Sequence, residues 1–110
     1  MTTWRFIPRK GRGIDIIQPT LDENTKDAVL DFLESDVGNY SGAVEEYLRY
    51  WHRVSSGELE AVSGNGTEQT REGDLVRLES LYDQWKTVYF TIAEFEELLE
   101  DYAAFLQKAN

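Results

Sequence analysis

The sequence VYFTIAEFEELLEDYAAFL, residues 88–106, contains the clearest fold signal in the chain. Thr91 and Glu94 are spaced as a capping box, in which each side chain bonds to the backbone N–H of the other residue. Phe90 and Phe95 flank this pair in the positions of a hydrophobic staple. Apolar residues then recur at intervals of three and four, which predicts an amphipathic helix. Its predicted buried stripe contains Ile92, Phe95, Leu98, Leu99, Tyr102, Phe105 and Leu106.

The residues before this helix predict an antiparallel sheet. Gly64-Asn65-Gly66 is a hairpin signal, because Asn-Gly tolerates the positive φ angles that tight hairpin turns need. The turn joins a strand over residues 58–62 to a partner strand from Thr67 to Thr70. Alternating and β-rich segments predict further strands from Leu75 to Leu81 and from Trp85 to Phe90.

Two more helices are predicted upstream of this sheet. The first extends from Asp22 to Val37, and either Thr20 or Asn24 has the spacing of its capping residue. The second covers residues 42–54 and is predicted to be capped by Ser41. Each contains apolar residues at helical spacing. In the second helix this stripe is Val44, Tyr47, Leu48, Trp51 and Val54.

A β-hairpin is predicted at the N-terminus, where Trp4–Ile7 and Ile14–Ile17 flank a basic loop rich in turn-forming residues. The order of elements predicts an α+β fold, in which a small antiparallel sheet packs with three amphipathic helices. At 110 residues the chain has the length of one domain, so we expect residues 1–110 to form a single domain.

The charge of the chain restricts its partners. Eleven Lys and Arg against 21 Asp and Glu produce a formal net charge of −10. Residues 1–12 contain four basic and no acidic side chains, so the acid is concentrated in the rest of the chain. Because phosphate backbones and anionic membranes attract basic residues, we expect no nucleic-acid or membrane partner. The absence of cysteine and of a signal-peptide pattern predicts a cytoplasmic protein.

No motif of a catalytic or cofactor site is present in the sequence. His52 is the only histidine, so a metal site would lack the usual nitrogen and sulfur ligands. The spacing of a phosphate-binding loop and the pattern of a nucleophile elbow are both missing. Asp15 is the one acid within an apolar strand, and an outward position is the simpler interpretation. We therefore expect no enzymatic activity and no catalytic, cofactor-binding or metal-binding residue.

Acidic helix faces and tyrosines are the candidate contacts with a partner. Tyrosine has an apolar body and a polar group, a combination enriched at protein interfaces. Charge reversal of Asp31 and Glu34 is expected to leave the fold intact and to slow association with a basic partner. The acids of the last helix form a rival face. The predicted partner-binding residues are Asp27, Asp31, Glu34, Asp36, Tyr40, Tyr50, Glu97, Glu100 and Asp101.

The last third of the chain resembles a known group of proteins. Its residues are Asp74–Leu78, Val88–Phe90, Thr91–Leu99 and Tyr102–Leu106. In these segments, and in its size and acidity, the chain is similar to the small immunity proteins of bacterial polymorphic and contact-dependent toxin systems. The resemblance implies tight, one-to-one binding of a cognate toxin in the cytoplasm of the producing cell. The acidity of the chain favours a basic, nuclease-type toxin, and we expect the chain to be a monomer or weak homodimer. The resemblance assigns no binding residue, because these families share no functional signature.

Two other classes remain open from the sequence. An anionic DNA mimic of a phage or plasmid would present carboxylates spaced like phosphates along an extended surface. A small ligand-binding or enzymatic domain would need a deep pocket with convergent polar groups.

Overall fold

Two antiparallel sheets and three α-helices form the described part of the chain, which comprises residues 4–9, 13–18 and 20–109 of a computed structural model. The predicted α+β fold is confirmed. The N-terminal hairpin consists of β1 (Phe6–Pro8) and β2 (Ile14–Ile16), with Phe6 opposite Ile16. Part of the predicted basic loop, residues 10–12, lies outside the described residues.

The first helix, α1 (Glu23–Asp31), is capped by a residue that the sequence analysis did not select. Asp22 precedes the helix, and its Oδ1 accepts a hydrogen bond from the Thr25 N–H at 2.7 Å. The predicted capping roles of Thr20 and Asn24 are therefore wrong. Asn24 instead exchanges two hydrogen bonds with the backbone of Lys86, at 2.7 and 2.9 Å. Its side chain thus joins α1 to the loop before the last strand.

The Asp22 cap predicts an acid-sensitive contribution to stability. Hydrogen bonds from the Thr25 N–H, and then from the Thr25 hydroxyl, hold the pKa of the Asp22 carboxyl below its ordinary value of 3.8. A lowered folded-state pKa stabilises the folded chain above the unfolded pKa, and this contribution is lost as the pH falls through the folded pKa. Asp22→Asn keeps a capping oxygen that does not titrate. We therefore expect this variant to lose less stability than the original chain between about pH 5 and about pH 2.

Urea denaturation followed by circular dichroism at both pH values measures the two losses. Asp27→Asn is the matched control, because Asp27 is exposed on the same helix and does not cap it. Between the two pH values, this control should lose as much stability as the original chain does. Equal losses in all three proteins would contradict an acid-sensitive cap.

The predicted helix does not continue as an α-helix to Val37. From Phe32 to Val37 the backbone is a π-helix, whose wider turn ends with the Gly38 N–H bonded to the Leu33 C=O at 2.9 Å. Gly38 has φ 105°, a conformation that disfavours a side chain, so the helix stops there. The wider turn carries Asp36 to the turn between β3 and β4, which is described below.

The second helix, α2 (Ala43–Ser55), lies one residue later than predicted and lacks the predicted cap. Its first turn follows Gly42, which has φ 92°, and in the described part of the chain no side chain caps the helix there. Ser41 is therefore not the cap. The predicted apolar stripe is confirmed, since Val44, Tyr47, Trp51 and Val54 are buried and Leu48 packs against the core.

The second sheet has four strands in sequence order. They are β3 (Ala61–Ser63), β4 (Thr67–Glu72), β5 (Leu75–Ser80) and β6 (Val88–Thr91), and all neighbours are antiparallel. The predicted strand from Trp85 to Phe90 is displaced, because pairing with β5 begins only at Val88. Trp85 lies in the loop before β6, where its side chain has another role.

The last helix, α3 (Ile92–Ala109), has the predicted start. The Glu94 N–H donates to Thr91 Oγ1 at 3.0 Å, and the Thr91 N–H donates to Glu94 Oε1 at 2.8 Å, so the capping box is confirmed. Phe95 packs among the rings of Phe32, Tyr47, Trp51 and Phe90. The helices cover one face of the four-stranded sheet. Among the described residues, no helix combines the length and apolar composition needed to cross a membrane.

Candidate functional site

Asp36 joins the π-helix to the β3–β4 turn. Its carboxylate accepts hydrogen bonds from the backbone N–H groups of Asn65, Gly66 (3.1 Å) and Thr67 (2.8 Å), and from the Thr67 hydroxyl. Four donors from three consecutive residues therefore converge on one side chain. A β-turn itself supplies only the bond between the C=O of its first residue and the N–H of its fourth. Here a carboxylate from another element takes up these donors.

The backbone of this turn differs from the prediction. Neither Asn65 nor Gly66 has a positive φ, so the turn is not the type that Asn-Gly favours. The glycines instead permit close approach of the π-helix. A Cβ added at Gly66 would lie 3.3 Å from the Ser35 Cβ, and one added at Gly64 would overlap the Asp36 carboxylate. The Gly-Asn-Gly sequence thus meets a packing requirement as well as forming a turn.

A chain of buried hydrogen bonds extends from Asp36 into the core. The Tyr47 hydroxyl donates to Gln69 Oε1 at 2.7 Å, and Gln69 Nε2 donates to Thr67 Oγ1 at 2.5 Å. Thr67 and Gln69 are fully buried, and the Thr67 hydroxyl donates in turn to Asp36. Burial raises the pKa of the Tyr47 phenol well above its ordinary value, and the Asp36 charge adds to the rise. The chain connects α2, β4 and the π-helix.

Beside this network lies a groove of about 370 Å³ between α2 and β3. The structure brings three of the predicted partner-binding residues together here: Asp36, Tyr40 and Tyr50. The Tyr40 and Tyr50 side chains are 48% and 50% exposed. The remaining lining residues are Val37, Ala43, Glu46, Tyr47, Val62, Ser63 and Gly64.

The groove is anionic. Among the described residues, its lining contains the carboxylates of Asp36 and Glu46 and no Lys or Arg. The Tyr40 hydroxyl donates to Glu46 Oε2 at 2.7 Å, and this hydrogen bond raises the pKa of the Tyr40 phenol. Because the turn occupies Asp36, the exposed Glu46 is the carboxylate that an incoming cation can reach. A carboxylate beside two tyrosine rings suits an ammonium or guanidinium group, through an ion pair and cation–π contact.

Sequence reasoning did not select Glu46. The signal that could have found it is helical spacing, because Glu46 and Tyr50 are four residues apart on α2 and therefore share a face. Helical spacing does not predict the contact of Glu46 with Tyr40. That contact depends on Gly42, which precedes α2 with φ 92° and changes the direction of the chain between the two residues.

Asp31 and Glu34 occupy different environments. Asp31 is half-buried, and its two oxygens accept hydrogen bonds from the Ser35 hydroxyl at 2.8 Å and from Trp85 Nε1 at 2.9 Å. Charge reversal at Asp31 would therefore break contacts within the fold, contrary to the expectation that it leaves the fold intact. Glu34 is exposed and forms a 3.8 Å ion pair with Arg9.

The other predicted acids lie away from the groove lining. Asp27 is exposed on α1, and Glu100 is exposed on α3. Glu97 and Asp101 are half-buried, and Asp101 Oδ2 accepts a hydrogen bond from the Trp4 N–H at 2.9 Å. None of these four residues lines the groove. The predicted acidic residues therefore do not form one contiguous binding face with the tyrosines.

Asp15 and His52 have ordinary environments. The Asp15 carboxylate accepts a hydrogen bond from the Ile16 N–H and pairs with Lys26 at 3.2 Å, and these contacts hold the pKa of Asp15 below its usual value. His52 is exposed on α2. In the described residues, no three His, Cys, Asp or Glu side chains are grouped so that they could hold a metal ion.

Comparisons with known protein families, with curated proteins and with solved structures found no match to this chain.

Proposed function

We propose that this chain is an immunity protein, which binds a basic toxin domain and neutralises it. The observation that carries the proposal is the groove between α2 and β3. There an accessible carboxylate, Glu46, lies beside the half-exposed rings of Tyr40 and Tyr50. This arrangement suits a Lys or Arg side chain presented by a protein partner.

The charge of the whole molecule supports a basic partner. A net charge of −10 creates a negative field that attracts a cationic domain and speeds encounter. Packed aromatic anchors slow dissociation after encounter. A toxin that cleaves nucleic acid needs a basic cleft for phosphates. We infer that the acidic chain occludes such a cleft in a one-to-one complex, within the cytoplasm of the cell that makes the toxin.

The arrangement of the acids favours protein capture over DNA mimicry. A DNA mimic needs many free carboxylates along one surface. Here Asp31, Asp36 and Asp101 accept hydrogen bonds within the fold, which reduces their availability to a partner. The tyrosine-lined groove also has no counterpart in a row of phosphates. The resemblance of the last third of the chain to small immunity proteins is in accord with this choice.

Removing the two groove tyrosines is expected to weaken toxin binding. The double variant Tyr40→Ala, Tyr50→Ala should raise the Kd for the toxin domain encoded immediately upstream by at least about tenfold, because exposed tyrosines are typical interface anchors. Isothermal titration calorimetry measures the Kd, and an assay of toxin activity measures neutralisation. Both side chains are half-exposed, so we expect the fold to survive the change.

A second pair of exposed tyrosines provides the matched control. Tyr82 and Tyr89 are 69% and 52% exposed and do not line the groove. Their replacement by alanine should change the Kd by less than about twofold. Equal losses from the two pairs would place the interface elsewhere. Failure of the original chain to bind or inhibit the upstream toxin would disprove the immunity function.

A further inference from the structure

Strand β3 forms an open edge of the four-stranded sheet. The Gly64 N–H donates to the Thr67 C=O at 3.0 Å, so Gly64 and Thr67 form a hydrogen-bonded pair at the end of the β3–β4 ladder. In an antiparallel pair, hydrogen-bonded and non-hydrogen-bonded positions alternate. Val62, opposite Gln69, therefore directs its backbone groups toward β4, and Ala61 and Ser63 direct theirs outward. Within the described part of the chain, no residue pairs with these outward groups.

The opposite edge of the sheet is less accessible. The Ile92 N–H donates to the Asp74 C=O at 3.3 Å, so Tyr89 and Thr91 direct their backbone groups away from β5. The Thr91 N–H is already bonded to Glu94, and α3 begins at the next residue. As far as the described residues show, the backbone groups of two successive outward positions lack a partner at β3, whereas at β6 the outward Thr91 N–H is bonded.

The open edge and the anionic groove adjoin each other. Val62 and Ser63 line the groove from the sheet side, and Tyr40, Glu46 and Tyr50 line it from the helix side. Natural edge strands are often protected by short length, lysine, proline or a bulge. Strand β3 (Ala61–Ser63) has only three residues, and it contains no lysine, proline or bulge. The strand therefore presents backbone hydrogen-bonding groups beside the carboxylate and tyrosine rings of the groove.

We propose that an extended basic segment of the partner adds to β3 as an antiparallel fifth strand, with a Lys or Arg side chain entering the groove. This inference rests on the proposed function and specifies how the partner is recognised. In the added strand, the residue opposite Val62 points to the same side of the sheet as Val62. That side faces α2, so this residue reaches Glu46 and the tyrosine rings. Its two neighbours bond to the backbone of Ala61 and Ser63.

Charge favours a basic segment over a second copy of the chain. Two copies paired through β3 would bring together bodies of net charge −10 and place a Glu46 of each near the junction. Like charges disfavour such pairing, and opposite charges favour a cationic strand. Backbone pairing supplies affinity in such complexes, and the alternate side chains supply specificity.

Three synthetic peptides test the inference. The first is an acetylated, amidated heptapeptide that alternates threonine and lysine, beginning and ending with threonine. The second carries N-methyl groups on its threonine amides, and the third carries them on its lysine amides. When lysine enters the groove, threonine amides face β3 and lysine amides face solvent. Only the second peptide therefore loses the N–H groups that would donate hydrogen bonds to the backbone of β3.

Backbone NMR of the chain measures binding and hydrogen exchange. The unmodified and lysine-methylated peptides should bind with Kd values within about threefold of each other, and the threonine-methylated peptide should bind at least about tenfold more weakly. On binding, the Ala61 and Ser63 amides should exchange at least about tenfold more slowly. Ser63→Pro, which removes an outward N–H at an edge, should weaken the unmodified peptide similarly.

The contrary outcomes separate the two proposals. If both methylated peptides bind equally well while the Tyr40 and Tyr50 resonances shift, the groove binds side chains without backbone pairing. That result would overturn strand addition but would leave the proposed binding of a toxin unaffected. Strand addition is likewise overturned if no peptide binds although the tyrosine pair still controls toxin affinity. Protection of Ala61 and Ser63 in concentrated samples without peptide would identify a second copy as the occupant. Failure of toxin binding itself overturns the proposed function.

Discussion

Asp36→Ala is expected to lower the free energy of unfolding by about 3 kcal/mol, since it leaves several donors of one turn without an acceptor. Gly66 and Thr67 are buried, and their N–H groups and the Thr67 hydroxyl all donate to Asp36. An unpaired buried donor costs about 1–3 kcal/mol. The exposed Asn65 amide can bond to water instead, which limits the total. Urea denaturation followed by tryptophan fluorescence measures the change.

Asp27→Ala is the matched control for this variant. Asp27 is an exposed aspartate on α1, and we expect its loss to change stability by no more than about 0.5 kcal/mol. If the two variants are equally stable, Asp36 does not hold the turn against the π-helix. The hydrogen exchange of Gly66 and Thr67 provides a local readout, since both amides should exchange faster in Asp36→Ala.

Gly64→Ala is expected to destabilise the fold by about 2 kcal/mol through overcrowding. A Cβ at Gly64 would overlap the Asp36 carboxylate, so the side chain or the turn must move. Backbone strain is not the cause, because Gly64 does not have a positive φ. Ser63→Ala, at the neighbouring exposed position, should change stability by no more than about 0.5 kcal/mol.

A double-mutant cycle distinguishes this cause from a general effect of alanine. In the Asp36→Ala background the obstructing carboxylate is absent, so Gly64→Ala should cost at least about 1 kcal/mol less than in the original chain. Chemical denaturation of the four proteins supplies the coupling energy. An equal cost in both backgrounds would show that Asp36 does not limit the space at Gly64.

These contacts connect the fold to the candidate site. Asp36 holds the turn that ends β3, and Tyr47 and Gln69 continue the hydrogen-bond chain beneath the groove. The wall formed by Val62 and Ser63 is thereby held against α2. Disruption of the network should therefore move the groove as well as reduce stability, so binding variants are best chosen among the exposed Tyr40, Glu46 and Tyr50.

Local patterns predicted the helices and most of the strands. Helical periodicity and the capping box located α3, because both depend on residues within one or two turns of each other. The inward positions Val76 and Leu78 were likewise readable from alternation along β5. The end of the first helix was harder to predict from the sequence. Its π-helical segment, Phe32–Val37, depends on contacts of Asp36 with residues about thirty positions later.

Long-range contacts also explain where local interpretation failed. Trp85 has high strand propensity, yet it lies in the loop before β6, where its indole donates to Asp31, 54 positions earlier in the sequence. Asn65 and Gly66 match a positive-φ turn, yet the π-helix imposes a different backbone. Glu46 was not selected, because its contact with Tyr40 arises from the turn of the chain at Gly42.

Local sequence patterns were sufficient to predict the α+β class, the positions of the amphipathic helices, their buried stripes and the acidic character of the surface. These follow from spacing and composition, which act between residues close together in the chain. The tertiary fold was needed to show which carboxylates accept hydrogen bonds within the chain, because Asp31, Asp36 and Asp101 each have a partner from a distant segment. It also decided that Tyr40, Glu46 and Tyr50 share a groove beside the open edge of β3.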